Sequence, residues 1–172
     1  MRLYRRVVPV IAQNLIDVLR KNEAIEIKDG QEEEAALDLA AVMVQHLDEQ
    51  DLLTRETQEA MTKRGIGMER FSQVRKSIAE ARKIKVGTDA FELLCNDMLQ
   101  TLFESDNIVE VFAQDPEILK VVKETILRYT TVPEEIDVEA RSRIKNLREG
   151  TLAWETEYFR ILSYLKRQKG LE

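Results

Sequence analysis

The sequence predicts an all-α protein made of two tandem, pseudo-repeated units of about four helices each. Its few prolines and many charges also allow an elongated arrangement of those units. Three observations predict this class. Apolar residues recur at spacings of three and four along almost the whole chain, as they do in amphipathic helices. Only 3 Pro and 6 Gly occur in 172 residues, and strand-like alternation is confined to 24–27 and 108–111.

The first half of the chain should contain four helices. Pro9 suits a helix start, where a missing N–H costs little, and the acidic run after Gln31 favours the positive end of a helix dipole. Gly65 suits the left-handed residue that commonly ends a helix. The four predicted helices cover residues 4–19, 32–47, 54–64 and 68–78.

The second half should contain four more helices. Asp89 and Glu92 have the spacing of a capping box, and Pro116 suits a helix start. The last two helices are either separate or continuous through Gly150. The segments 24–27 and 108–111 are either short strands or turns. The predicted helices cover residues 89–102, 115–129, 136–147 and 158–165.

An offset of 83 residues relates the two halves without a gap over three predicted helices. It pairs Ile25 with Ile108 and Glu34 with Glu117. This predicts a duplicated unit, with an N-terminal unit at 1–86 and a C-terminal unit at 87–172. Coincidence is the alternative, because amphipathic helices can be brought into phase by chance. The sequence does not decide whether the units pack together.

Composition argues against a membrane protein. The apolar run 39–44 falls far short of the roughly 20 residues that span a bilayer. The single cysteine, Cys95, excludes a disulfide within the chain, so nothing indicates an oxidising compartment. We therefore expect a cytoplasmic location and no membrane contact.

Charge is segregated along the chain despite a formal net charge of -6. The segment 23–51 is strongly acidic, whereas 60–85 and 141–169 are basic. The basic side chains are candidates for binding an anion or an acidic partner. Alternatively, they cover solvated helix faces or pair with carboxylates of the same chain. The candidates are Arg2, Arg5, Arg6, Arg75, Lys76, Arg82, Lys83, Arg141, Arg143, Lys145 and Arg148.

Catalytic patterns are missing from the sequence. His46 is the only histidine, and Cys95 lies on an apolar helix face without an evident activating base. Neither a metal-binding spacing nor a glycine-rich phosphate loop is present. We therefore predict no catalytic residue, no metal and no cofactor.

The two ends of the chain resemble a known family. The opening Met-Arg-Leu-Tyr-Arg-Arg at 1–6 and the segment Trp-Glu-Thr-Glu-Tyr at 154–158, followed by Lys-Gly-Leu at 169–171, are similar to bacterial domain-of-unknown-function family 507. The similarity runs the full length. It implies a stand-alone helical protein of the bacterial cytoplasm and supplies no catalytic residue.

The aromatic residues of these ends have a physical interpretation of their own. Trp154 and Tyr158 are four apart and share a helix face, which favours packing against a neighbouring helix. The alternative is that they form, with Tyr4, an exposed anchor for a partner protein. Arg2, Arg5 and Arg6 are expected to pair with Glu155 and Glu157 if they do not meet a ligand.

The functional prediction rests on the abundance of helix faces and charged segments and on the lack of catalytic patterns in the sequence. Helix faces and charged segments are abundant, which favours a non-enzymatic protein-interaction or scaffold module. The alternative is an anion- or RNA-binding protein that uses the basic segments. The partner's identity and the oligomeric state are not encoded in any pattern of the sequence.

Overall fold

A computed structural model describes residues 2–168. Over this range the chain forms seven α-helices, two short strands and two single 3-10 turns, which confirms the all-α prediction. The turns cover Arg5–Val7 and Met68–Arg70. In chain order the other elements are α1 (Val8–Lys21), β1 (Ile25–Ile27), α2 (Glu32–Arg64), α3 (Phe71–Arg82), α4 (Gly87–Glu104), β2 (Ile108–Val111), α5 (Asp115–Thr130), α6 (Glu134–Arg143) and α7 (Leu152–Gln168).

The helix α2 corrects the prediction of two helices between residues 32 and 64. It runs unbroken through the polar stretch 48–51, because no Pro or Gly interrupts the backbone there. The side chains of this stretch are exposed or half-buried, so their polarity does not oppose the helix. Leu53 and Thr57 then return to the core face. Gly65 ends the helix in the left-handed conformation, with φ 61°, as predicted.

One helix start differs from expectation, and one alternative that the sequence left open is decided. The helix α4 begins at Gly87, so Asp89 lies inside its first turn and makes no capping box. The capping interaction occurs at α5, where the Glu117 carboxylate accepts the backbone N–H of Gln114 at 3.1 Å. The helices α6 and α7 are separate, since the chain leaves helical geometry between them and Gly150 has φ 87°.

The two alternating segments are strands that pair with each other. The strands β1 and β2 form an antiparallel two-stranded sheet in which Ile25 lies opposite Val111 and Ile27 opposite Ile108. A bulge follows Glu26. The sheet therefore joins the two predicted units by backbone hydrogen bonds.

One hydrophobic core lies between α1, the first half of α2, α4 and α5, under the sheet. Leu15 and Met43 from the first predicted unit pack in the same cluster as Met98 and Ile126 from the second. The two units therefore pack together around a shared core. Among the described residues, no helix has both the length and the apolar character needed to cross a bilayer.

A second, smaller core holds α6 against α7. Ile136 and Ala140 of α6 pack there with Leu162 and Leu165 of α7, and Tyr4 from the N-terminal segment completes the cluster. Val7 contacts both cores. The segment 2–7 is therefore the bridge between the α6–α7 pair and the rest of the molecule.

Candidate functional site

The three N-terminal arginines all have partners within the chain. Arg2 pairs with Glu149, and one nitrogen of Arg5 contacts Asp48 and Asp51 of α2, each at 2.7 Å. The Arg6 guanidinium donates to the carbonyl oxygen of Thr156. In the part of the chain that the structure describes, their guanidinium groups do not pair with Glu155 or Glu157, the partners predicted for them. Glu157 pairs with Arg160, and Glu155 accepts only a backbone N–H, that of Arg6.

The aromatic residues of the two chain ends form one buried cluster. Trp154 and Tyr158 stack with ring centroids 5.0 Å apart and planes 10° apart, because they are one turn apart on α7. The ring of Tyr4 lies 5.3 Å from that of Tyr158, and Phe159 meets both tyrosines edge-on. Tyr4, Trp154 and Tyr158 are 6%, 4% and 1% exposed. They hold α7 to the N-terminal segment and offer no exposed surface to a partner.

Arg141 neutralises the charge around this aromatic cluster. It pairs with Asp137 at 2.8 Å and with Glu149, donates to the Tyr4 hydroxyl at 3.1 Å, and lies over the Trp154 ring. Burial opposes ionisation of Asp137, but hydrogen bonds from Tyr158 and Arg141 lower its pKa below the usual value. The Arg141 guanidinium is therefore committed to contacts within the chain.

Glu155 is the exception in this region because its carboxylate is buried and only partly paired. It is 7% exposed, and its Oε2 has no hydrogen-bond partner among the described residues. Burial raises the pKa of Glu155, and the backbone N–H of Arg6 opposes this rise only in part. Sequence reasoning assigned this residue a surface ion pair and so missed its burial.

The basic residues of the α3 segment are dispersed. Arg75 donates to Gln50 Oε1 at 2.7 Å, and burial lowers its pKa. Arg82 pairs with Glu56 at 2.8 Å. Lys76 and Lys83 are exposed. This segment presents no common site for an anion.

The basic residues near α6 are also mostly separate. Arg143 pairs with Glu139 on its own helix and lies over the ring of Tyr164. Lys145 is exposed in the connection to α7. Arg148, in the same connection, lines a groove that is larger than those lined by Arg143 or by Arg2 and Arg141.

That groove, which we call the basic groove, has a volume of about 610 Å³ and lies between the second half of α2 and the α6–α7 connection. Arg55 and Lys63 face Arg148 across it, and Glu59 lies between the first two along α2. Sequence reasoning missed Arg55 and Lys63, although their spacing of eight residues places them on one helix face. The full lining is Arg55, Gln58, Glu59, Thr62, Lys63 and Arg148.

The solvent face of α2 carries an apolar stripe, which we call the α2 stripe. Leu37, Ala41 and Val44 follow one another at spacings of four and three on the face opposite the core, and Leu52 follows on the same face beyond Asp48. Leu37 is 56%, Val44 37% and Leu52 41% exposed. The signal in the sequence was a second apolar face over 37–52, which the core periodicity of the same helix obscured.

The whole chain matches one known family. A family model described as a protein of unknown function, DUF507, matches residues 1–171. The chain belongs to this family. The resemblance seen at the two ends of the sequence is thereby confirmed. No curated protein matches the chain.

The surroundings of Cys95 and His46 in this DUF507 protein do not favour the ionised forms of their side chains. Cys95 is fully buried, and burial raises the pKa of its thiol to about 11, so the thiol stays protonated at neutral pH. Burial lowers the pKa of His46. Within residues 2–168 no cluster of three or more His, Cys, Asp or Glu side chains is arranged to hold a metal ion. The family description names no activity.

Proposed function

We propose that this DUF507 protein is a non-enzymatic module that binds a helical segment of another protein along the α2 stripe. The observation that carries the proposal is the exposure of Leu37, Val44 and Leu52 on one face of a single long helix. Scattered exposed apolar residues are common on protein surfaces, but an aligned row is typical of helix-binding faces. The opposite side of α2 packs against α1 and α4, so this row lies on the outside of the molecule.

The charges beside the α2 stripe define the chemistry of the partner. Glu33 and Glu34 have no ion pair with another of the described side chains, and they flank the stripe near Leu37. At the other end, Arg5 neutralises Asp48 and Asp51 beside Leu52. The complementary segment is therefore an amphipathic helix with an apolar face and with Lys or Arg at the end that meets Glu33 and Glu34.

A non-enzymatic role and a cytoplasmic location belong to the same proposal. The buried, protonated Cys95 is a poor nucleophile, and the desolvated His46 has no carboxylate hydrogen-bonded to it. A lone buried thiol is compatible with a reducing compartment, where disulfides are rare. Both statements are supported by the chemistry of these two side chains.

Affinity capture from the organism of origin tests the proposal when two variants are compared. Leu37→Glu and Val44→Glu place a charge in the apolar stripe and should reduce recovery of the partner at least about tenfold, equivalent to about 1.4 kcal/mol. Both side chains are exposed, so the variants should keep the thermal stability of the parent.

Leu152→Glu is the matched control because Leu152 is 75% exposed and lies on α7, away from the stripe. Recovery by this variant should equal that of the parent. The captured protein should contain an amphipathic segment with basic flanks, and a peptide of that segment should bind the parent but not Val44→Glu. Equal recovery by all variants would exclude the α2 stripe as the binding face.

A further inference from the structure

We propose that the basic groove binds a small phosphorylated molecule, a second binding activity next to the α2 stripe, whose Leu52 lies three residues before Arg55. Three cationic side chains, Arg55, Lys63 and Arg148, line this groove, against one carboxylate, Glu59. A phosphate group carries about two negative charges and offers acceptor oxygens to guanidinium and ammonium donors. The balance of charge in the groove suits such an anion.

The cations of the basic groove differ from several arginines of the chain in their pairing, and among the described residues they share this feature with exposed lysines such as Lys76 and Lys83. Arg2, Arg5, Arg82 and Arg141 each have a carboxylate partner within the structure. Within residues 2–168 the cations of the basic groove have no carboxylate at ion-pair distance, although Glu59 lies four residues from both Arg55 and Lys63 on α2, the spacing at which helix ion pairs form. Their positive charge is therefore available to a ligand.

The backbone around Arg148 is fixed by its neighbours. The Arg148 carbonyl accepts the hydroxyl of Thr151 at 2.7 Å and its backbone N–H at 3.3 Å. The adjacent Glu149 is held by Arg2 and Arg141. These contacts keep the Glu149 carboxylate occupied, so it does not compete for Arg148, and they fix the segment that carries Arg148 opposite α2.

Two uncharged side chains complete the lining. Gln58 and Thr62 lie between the cations on α2, and the Thr62 hydroxyl donates to the Gln58 carbonyl at 2.9 Å. Both side chains add polar surface to the lining. A volume of about 610 Å³ has room for a phosphorylated metabolite rather than for a single ion alone.

Calorimetric titration at low ionic strength tests this proposal, with inorganic phosphate, pyrophosphate and a mixed-sequence single-stranded RNA as probes. Pyrophosphate should bind more tightly than inorganic phosphate, and its affinity should fall as salt is added. Arg148→Gln and Lys63→Gln should each weaken pyrophosphate binding about tenfold. Glu59→Gln should strengthen it several-fold, because it removes the only negative charge of the lining.

Lys145→Gln is the control, since Lys145 is exposed three residues before Arg148 and does not line the groove. It should bind pyrophosphate as the parent does. Absence of pyrophosphate binding at low salt, or equal loss in the control, would overturn the proposal. Tighter binding of RNA, with losses shared by Lys76→Gln and Lys83→Gln, would replace it with nucleic-acid binding. The thermal midpoint of each variant verifies that the fold is intact.

Discussion

Glu155 is the residue whose ionisation reports most directly on the contact between α7 and the N-terminal segment. Its buried carboxylate has one oxygen without a partner, and burial raises its pKa. Because the folded protein binds this proton more tightly than the unfolded chain does, the ionised carboxylate costs stability. That cost is present above the raised pKa and disappears as pH falls toward the ordinary value of 4.5.

Replacement of Glu155 by Gln should therefore raise the free energy of unfolding at pH 7 by about 1 kcal/mol, because an uncharged side chain avoids the desolvation of a carboxylate. The difference from the parent should shrink as pH falls toward 4.5. Urea unfolding of both proteins across this range measures it. If the difference in free energy of unfolding between the two proteins did not vary with pH, burial of an ionised Glu155 carboxylate would not be what destabilises the parent.

The residues of the aromatic cluster show what sequence can predict at this scale. The four-residue spacing of Trp154 and Tyr158 predicted one shared helix face, and both side chains are packed. The third member, Tyr4, lies some 150 residues away along the chain, and no local pattern encodes that contact. Arg141 differs, because its partner Asp137 lies four residues earlier on the same helix, and this pair and Glu149 hold Arg141 in the structure rather than leaving it free to meet a ligand.

At the scale of elements, α2 shows how a single proline decides between one helix and two. The offset of 83 pairs Gln50, inside α2, with Pro133, which separates α5 from α6. Proline cannot donate the backbone hydrogen bond of a helix interior, so the second half of the chain breaks where the first half continues. Periodicity alone predicted a break in both places, because the polar stretch 48–51 interrupts the apolar pattern.

Because α2 is one continuous helix, the adjacent residues Leu52 and Leu53 lie on different faces, and this assignment can be tested. Leu53 is fully buried, whereas Leu52 is 41% exposed on the α2 stripe. Leu53→Ala should lower the free energy of unfolding by about 3 kcal/mol because it leaves a cavity, and Leu52→Ala should change it by less than about 0.5 kcal/mol. Denaturant unfolding of the two variants measures this. Similar losses at both positions would contradict the register.

At the scale of the whole molecule, the element bounds agree with the offset of 83 residues. The helices α1 and α4 end at Lys21 and Glu104, and the strands begin at Ile25 and Ile108. The agreement covers the part of the fold that forms the shared core. Descent of the two units from one duplicated sequence stays a prediction. Their packing could not be predicted, because the contacts between halves depend on tertiary geometry rather than on local periodicity.

The N-terminal segment 2–7 connects the two hydrophobic cores of the molecule. The α6–α7 pair has its own small core, and Tyr4 and Val7 join it to the main body. Tyr4→Ala should therefore loosen α6 and α7 selectively. Hydrogen exchange followed by mass spectrometry should show faster exchange in 134–168 and unchanged protection in α1 and α4.

The control for this measurement is Leu152→Ala, which removes an apolar side chain that is 75% exposed on α7. It should leave exchange in α6 and α7 close to that of the parent. Uniformly faster exchange throughout Tyr4→Ala would show that the two cores unfold as one unit, and the bridging role of the N-terminal segment would then be wrong.

The central claim is that this DUF507 protein binds its partner through the solvent face of α2. Site-specific photo-crosslinking in living cells tests it most directly, with the photoreactive residue at position 44 on the α2 stripe or at position 138, where Val138 is 58% exposed on α6. We expect one discrete adduct from position 44, attached within an amphipathic segment that has basic flanks, and none from position 138. The same adducts from both positions, or none from position 44, would contradict the claim.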